Sequence, residues 1–275
     1  MECVQEGTIA GMATPAMTAT RQYWLTGASS GIGRELALLL ARQGHTVYVS
    51  ARSLPALQAL AANYPQLLLP LACDVSNDQQ MEQVFDCLSE PPLWLDGIIL
   101  GAGICEYIDV PALDGGSMRR VMDANYFGVV NACRVALPLL QAARMRDPSR
   151  KPEIIGIGSM SSYTGFARAE AYGSSKAALS YFLQSLRCDL QNEIAVTVVY
   201  PGFVATPMTA QNDFNMPFMV SATQAARCIA DNMGKAKLSI HFPWQLHLLL
   251  KLATWLPGLW YGRIAILLGR RDKAG

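Results

Sequence analysis

Thr26-Gly27-Ala28-Ser29-Ser30-Gly31-Ile32-Gly33 decides the fold. The apolar residues 22–26 before it read as a strand. Residues 31–43 after it read as a helix, with Leu36, Leu39 and Leu40 on one face. Gly44 stands where a glycine ends a helix. Each glycine of the turn has its own task. Gly27 lets the chain leave the strand sharply, Gly31 lets backbone approach a pyrophosphate, and Gly33 lets the helix lie close on a sheet. The helix N-terminus then offers free N–H groups and a positive dipole end to phosphates. A glycine-rich turn alone says little. Strand, turn and helix together in a first βαβ unit point to a dinucleotide cradle.

Outward from this turn, strands and helices alternate. Residues 46–50 are β-branched and read as the second strand, 54–63 as a short helix, and 67–72 as a third strand leading into Cys73-Asp74-Val75. A helix over 78–88 and a fourth strand over 97–100 follow. Two long helical stretches, 117–144 and 172–191, enclose a fifth strand at 154–158. Residues 195–200 and 238–242 supply the sixth and seventh. Such alternation implies parallel βαβ units. The expected fold is therefore α/β: a single Rossmann-like doubly wound domain with a mostly parallel seven-stranded sheet. Residues 1–20 read as a disordered extension and 21–243 as the nucleotide-binding domain. Residues 244–275 read as an apolar helical extension of that domain. No internal repeat, low-complexity segment or linker divides the chain.

The bulk numbers agree with one large α/β domain. The chain has 275 residues, and 51% of them are hydrophobic, enough to bury a sizeable core. Formal net charge is +1 with no basic block in the first three quarters, which argues against nucleic acid as a partner. Seven cysteines lie scattered with no CxxC pair, and read as small hydrophobes in a reduced, cytoplasmic protein. His45, His241 and His247 form no metal-binding pattern, so no metal site is expected. Before Arg21 the chain carries Glu2 and Glu6 and no cation, unlike a secretory signal.

The glycine spacing is TGxxxGxG rather than GxGxxG. It resembles the nucleotide turn of the short-chain dehydrogenase/reductase family, and the resemblance runs from about Gln22 to Met208. It implies cofactor contacts at Gly27, Ser29, Ser30, Gly31, Ile32 and Gly33. An acid after the second strand would bond a ribose 2′-hydroxyl and repel a 2′-phosphate. Here the run is Ser50-Ala51-Arg52-Ser53. By the family pattern Arg52 stands where NADP enzymes carry their basic residue, and guanidinium suits phosphate. NADP(H) is therefore expected over NAD(H). The Asp74-Val75 pair resembles the family's adenine contact. Where the family carries Asn-Asn-Ala-Gly, this chain has Leu100-Gly101-Ala102-Gly103. Ala102 and Gly103 keep space for the cofactor, whereas Gly101 is expected to lose a side-chain tie between strands.

Tyr172-Gly-Ser-Ser-Lys176 is the chemical centre of the resemblance. Residues four apart share a helix face. A phenol with a pKa of about 10 is a poor base near neutrality, and a nearby ammonium is expected to lower it. Tyr172 would move the proton, and Lys176 would hold the cofactor's ribose and tune Tyr172. Ser159, thirteen positions earlier at the end of the fifth strand, matches the family's catalytic serine. Ser161 and Ser162 are the nearby alternatives. Asn125, in Asp-Ala-Asn-Tyr-Phe-Gly, resembles the fourth catalytic residue, which holds a water linked to the lysine. Pro201, Gly202, Val204 and Thr206 resemble the segment beside the nicotinamide.

After Thr206 comes a run rich in Met and Phe, residues 207–220, where the family places a mobile lid. Residues 244–268 are rich in Leu and Trp and read as two amphipathic helices joined at Pro257-Gly258. Their apolar runs are shorter than the ~20 residues of a spanning helix. Arg263, Arg270, Arg271 and Lys273 follow or flank them. Two readings stand: packing on this protein's lid or a partner subunit, and peripheral contact with a membrane. The resemblance implies a hydride-transferring oxidoreductase acting on a small carbonyl or alcohol substrate, lipophilic by its lid, and a homodimer or homotetramer. The rival is a catalytically silent dinucleotide-binding regulatory or scaffold protein. Against it, all four catalytic positions are filled. An epimerase or dehydratase of the longer relatives would carry a larger substrate region and a differently spaced turn.

Overall fold

Strands buried on both faces need helices on both sides of the sheet. In the computed structural model, which describes residues 20–89, 94–109, 113–191 and 193–265, the chain meets that need by alternation. Its elements run β1 (Gln22–Thr26), α1 (Gly31–Arg42), β2 (Thr46–Ser50), α2 (Leu54–Ala61), β3 (Leu68–Pro70) and α3 (Asp78–Ser89). Then come β4 (Gly97–Leu100), α4 (Gly115–Met122), α5 (Gly128–Arg146), β5 (Glu153–Ile157), α6 (Glu170–Leu190) and β6 (Ala195–Pro201). The last are β7 (Val204–Ala205), β8 (Val220–Ser221), α7 (Ala222–Ala230), β9 (Ser239–Phe242), α8 (Trp244–Trp255) and α9 (Pro257–Leu259). The expected extension over residues 1–20 lies, but for residue 20, outside the described residues, as does the tail after 265.

Seven strands form one sheet in the order β3-β2-β1-β4-β5-β6-β9, every pair parallel. The chain winds outward from β1 to β3, then returns to β4 and winds the other way. The order therefore reverses between β1 and β4, which opens a crevice at the carboxyl ends of the strands. Alternation along β1 sends Trp24 into one core layer and Tyr23 and Leu25 into the other. A separate parallel pair, β7 with β8, ties the start of the lid to its end.

Most boundaries shift from expectation by one or two residues, and two differences have a clear physical cause. The third strand stops at Pro70, which has no N–H for a ladder. The long helix expected over 117–144 is interrupted. It starts at Gly115, where Asp114 caps the amides of Gly116 and Ser117. A π-helical turn, Asp123–Phe127, then separates α4 from α5. Such turns re-aim a side chain, and here that side chain is Asn125. The whole stretch Gly115–Arg146 is long and apolar enough to cross a membrane, but half of its apolar window is buried inside this fold.

The glycine turn is fixed by close approach. Gly27 has φ +76°, and a Cβ there would lie 2.5 Å from the Gly101 backbone. A Cβ on Gly33 would lie 2.3 Å from the Gly27 carbonyl oxygen. Gly115, in contrast, has open space around it. Gly33→Ala is expected to cost about 1–3 kcal/mol by overpacking, read as a fall in Tm of several degrees. Gly115→Ala is expected to leave Tm unchanged or raise it.

Candidate active site

Three clefts run in line along the carboxyl ends of the strands and share their boundary residues. The first is bounded by Arg52, Asp74, Val75, Ala102 and Ser29. The second joins it at Gly27, Ser29 and Gly103, and holds Ser30, Gly31, Ile32, Gly33, Lys176, Val204 and Thr206. The third is mainly apolar, and meets the second at Ser159, Tyr172, Pro201 and Gly202. Every residue expected to touch the cofactor therefore borders one continuous channel.

The channel fits a dinucleotide on its own geometry. The first hydrogen bond of α1 runs from Arg34 N to Ser30 O. The amides of Gly31, Ile32 and Gly33 thus have no partner within the helix, and they stand at its positive end. The Ser30 side chain makes no capping bond. Gly31 has φ +56°, and its missing side chain leaves only Thr206 close by, with a would-be Cβ 3.0 Å from Cγ2. At Gly103 a Cβ would lie 2.9 Å from Asn125 Oδ1 and 3.5 Å from Lys176 Nζ. These glycines keep the floor of the channel clear.

Gly101 supplies no side-chain tie, as expected of glycine, and Thr26 makes one from the other strand. Its hydroxyl accepts from the amides of Gly101 and Ala102, at 3.1 and 3.2 Å, and donates to Ile99 O. The tie between β1 and β4 is made from the β1 side. A Cβ at position 101 would meet Thr26 O at 2.8 Å, so glycine suits this arrangement.

Ser159 leaves the end of β5 and caps the short turn that follows; its Oγ accepts from the Ser161 amide at 3.1 Å and lies 2.9 Å from Ser161 Oγ. Ser161 thus donates to Ser159 from both its amide and its hydroxyl. Tyr172 and Lys176 occupy the first turns of α6. Lys176 is buried, and its Nζ donates to Ile157 O at 2.8 Å. Asn125 is fully buried. Its Oδ1 accepts from Ile104 N at 2.7 Å, and its Nδ2 donates to Ile104 O and to Ser175 Oγ, each at 2.9 Å. The amide is thus held by backbone and by the helix that carries Tyr172.

The titration of Tyr172 differs from expectation. Burial pushes its phenol up to about 12; Cys105 adds to the rise and the Ser159 hydroxyl opposes it. Lys176 Nζ lies 5.9 Å from the Tyr172 ring centroid, bonded to a carbonyl. Burial lowers Lys176 itself to about 8. Loss of solvent is the largest cause of the shift at both groups. At neutral pH the pair is a protonated phenol beside a charged amine.

Several side chains at the site stand in no catalytic or cofactor motif of the sequence. Cys105 and Tyr107, from the loop after β4, line the apolar chamber. So do Leu246, Leu249 and Leu250 of α8 and Trp260 beyond it. Tyr107 Oη donates to Asn212 Oδ1 at 2.5 Å, and Arg168 pairs with Asp109 and Asp213, each at 2.8 Å. These contacts fasten the lid over the chamber. Thr209 sits one turn after Thr206, and its Oγ1 accepts from the Thr206 amide at 3.0 Å.

The sequence model of the short chain dehydrogenase family matches residues 23–216. The chain belongs to this family. It is an oxidoreductase acting on CH–OH or C=O groups. An uncharacterized oxidoreductase of Myxococcus xanthus (strain DK1622) is 33% identical over 86% of this chain and 93% of its own length. The 11-beta-hydroxysteroid dehydrogenase A of Sesamum indicum is 33% identical over 70% of this chain and 54% of that protein. The farnesol dehydrogenase of Aedes aegypti is 31% identical over 68% of this chain and 79% of that protein. Among solved structures, the NADP active-site complex of RhlG from Pseudomonas aeruginosa superposes with a TM-score of 0.74 at 24% identity, over 83% of this chain and 97% of that one. At that identity the likeness concerns the fold. The short-chain dehydrogenase fold is thus this chain's own.

Proposed function

We propose that this short-chain dehydrogenase is an NADP(H)-preferring carbonyl reductase or alcohol dehydrogenase for lipophilic substrates. The observation that carries this reading is the position of Ser159 and Tyr172. They stand where the glycine-floored channel opens into the apolar chamber. NADP(H) bound in the channel supplies or accepts a hydride. In the reducing direction Tyr172, protonated at neutral pH, gives its proton to the substrate oxygen. Ser159 Oγ, aimed by Ser161, holds that oxygen. Lys176 contributes positive charge beside the ribose. Asn125 braces Ile104 and α6 and so keeps Tyr172 and Lys176 in register; the water-holding role implied by the family fits this position.

Arg52 borders the end of the channel beside Ser29 and Asp74, and no acid stands after β2. This supports recognition of a 2′-phosphate, with Asp74 and Val75 at the adenine and Thr206 at the nicotinamide. The lipophilic reading is supported by Met160, Phe166, Phe203, Phe214 and Trp260 in the chamber wall. We infer a cytoplasmic homodimer or homotetramer built on the long helices. Exposed Phe127, Met145 and Tyr181 on or beside α5 and α6 support such a face. The named activities of the sesame and mosquito relatives are compatible with a bulky apolar alcohol or ketone here.

Tyr172→Phe is expected to leave less than about a hundredth of wild-type turnover, with NADPH affinity, read by fluorescence titration, nearly unchanged. Substantial residual turnover would remove Tyr172 from the acid–base role. Tight cofactor binding by wild type with no turnover of any ketone or aldehyde would favour the silent rival.

Arg52→Ala is expected to cut the ratio of kcat/KM for NADPH over NADH by about tenfold or more, the worth of a charge-assisted contact. Equal values for the two cofactors in wild type would overturn the assignment. In a series of methyl ketones, kcat/KM is expected to rise up to about fourfold per added methylene, as each enters the chamber. A flat series within the soluble range would defeat the lipophilic chamber.

A further inference from the structure

The helix α8 is apolar on opposite faces. Leu246, Leu250 and Ala253, at helical spacing, are buried and seat it on the domain. Diametrically opposite, Trp244, Leu248, Leu252 and Trp255 face outward, with the two tryptophans 68% and 79% exposed. Beyond the helix, Leu256, Leu259 and Tyr261 continue this apolar surface. A helix at a protein–water boundary ordinarily carries polar side chains on its outer face. This one carries a contiguous run of large apolar and aromatic ones.

The charge around this face has one sign. From Asn232 to Arg271 the chain contains no Asp or Glu. Lys251 and Arg263 are exposed on the same segment, and Arg270, Arg271 and Lys273 follow in sequence. Lys251 sets its Nζ 5.4 Å from the centroid of the Tyr163 ring, a cation–π contact that leaves a positive charge beside this face. Outward Trp and Tyr rimmed by Lys and Arg match an apolar interior bordered by anionic headgroups.

The face is also continuous with the substrate chamber. Leu249 of α8 and Met208 of the lid line the chamber and are at the same time 43% and 38% exposed, so they form its rim. Trp260 is buried in the chamber wall and donates from Nε1 to Gly165 O at 3.0 Å. Next to it, Tyr261 Oη accepts from the Gly165 amide at 3.2 Å and from Thr164 Oγ1 at 3.1 Å. The turn is thereby bolted to the loop that leaves Ser159. The outward face and the mouth of the site are therefore joined by direct hydrogen bonds.

We propose that α8 and the turn after it dock on the surface of a membrane containing anionic lipid, with the mouth of the chamber opening into the lipid so that substrate enters from the bilayer. The route of substrate entry rests on the lipophilic reading above; the docking itself does not. A second copy of this chain is the weaker occupant. A two-fold contact through this face would set Lys251 and Arg263 against themselves, with no carboxylate in the segment to pair with them. The twelve-residue α8 is too short to span a bilayer, so the contact is with the surface.

The test is flotation of the purified full chain with vesicles of phosphatidylcholine, with and without phosphatidylglycerol. Wild type is expected to float with the anionic vesicles and to be released by salt. Leu252→Glu with Trp255→Glu is expected to weaken binding by at least about tenfold, with turnover of a short water-soluble ketone retained. Lys251→Gln with Arg263→Gln is expected to weaken binding to anionic vesicles by about tenfold and to neutral ones far less. Wild type that stays unbound from both vesicle types would overturn the proposal. So would a halving of the light-scattering mass in the Leu252→Glu, Trp255→Glu variant, because a second copy would then cover the face. The methyl-ketone series without vesicles reads the chamber alone: a flat series together with salt-sensitive flotation would sink the lipophilic reading and leave the docking standing.

Discussion

The approach of the Gly27 turn to the end of β4 is the contact on which the site depends. Backbone meets backbone there with no room for a Cβ on Gly27, Gly33 or Gly101. The amides of Gly27 and Ala28 bond Ser50 O at the end of β2, and Thr26 bonds the amides of Gly101 and Ala102 at the end of β4. Three strand ends are thus locked in one plane at the point where the sheet order reverses. Once they are locked, the N-terminus of α1 aims its free amides along the channel, and Arg52, Asp74 and Gly103 fall on its edges. A side chain at any of these glycines would push the helix off the sheet and misdirect all of them together.

The candidate catalytic groups Ser159 and Tyr172 stand at the boundary of two environments. On one side is a channel walled by backbone amides and small residues; on the other is an apolar chamber. Burial at the boundary dominates the titration of both groups on α6. It favours the neutral form of each, raising Tyr172 and lowering Lys176. Because the phenol starts far above neutrality and the amine ends only near 8, the two still differ in charge at neutral pH. The proton is on the tyrosine and the charge is on the lysine.

The C-terminal segment joins that boundary to the outside. The inner side of α8 completes the chamber, and its outer side presents Trp and Leu. One helix thereby shapes the site and exposes an apolar face beside its mouth. Arg168 and Tyr107 hold the lid from the opposite side through Asp213 and Asn212. The chamber is closed by parts far apart in sequence, and its shape is a property of their docking.

The order of strands and helices, the parallel sheet and the glycine turn were legible in the sequence because each depends on local periodicity or on a backbone conformation open only to glycine. The residues Ser159, Tyr172, Lys176 and Asn125 were legible as a pattern, since spacing along a helix and position at a strand end are properties of sequence. The π-helical turn at Asn125 was not, because it follows from the hydrogen bonds of its amide to Ile104 and Ser175, residues brought close only by folding. Nor was the raised phenol of Tyr172: the sequence shows which charge is four residues away but not how much solvent is lost. The tie from Thr26 and the chamber wall from Leu246, Leu250 and Trp260 likewise arise from contacts across the chain. By itself the sequence determined which groups are candidates for the chemistry and on which elements they stand. Only the tertiary structure decided what those groups face, because solvation and close packing depend on neighbours that are distant in the chain.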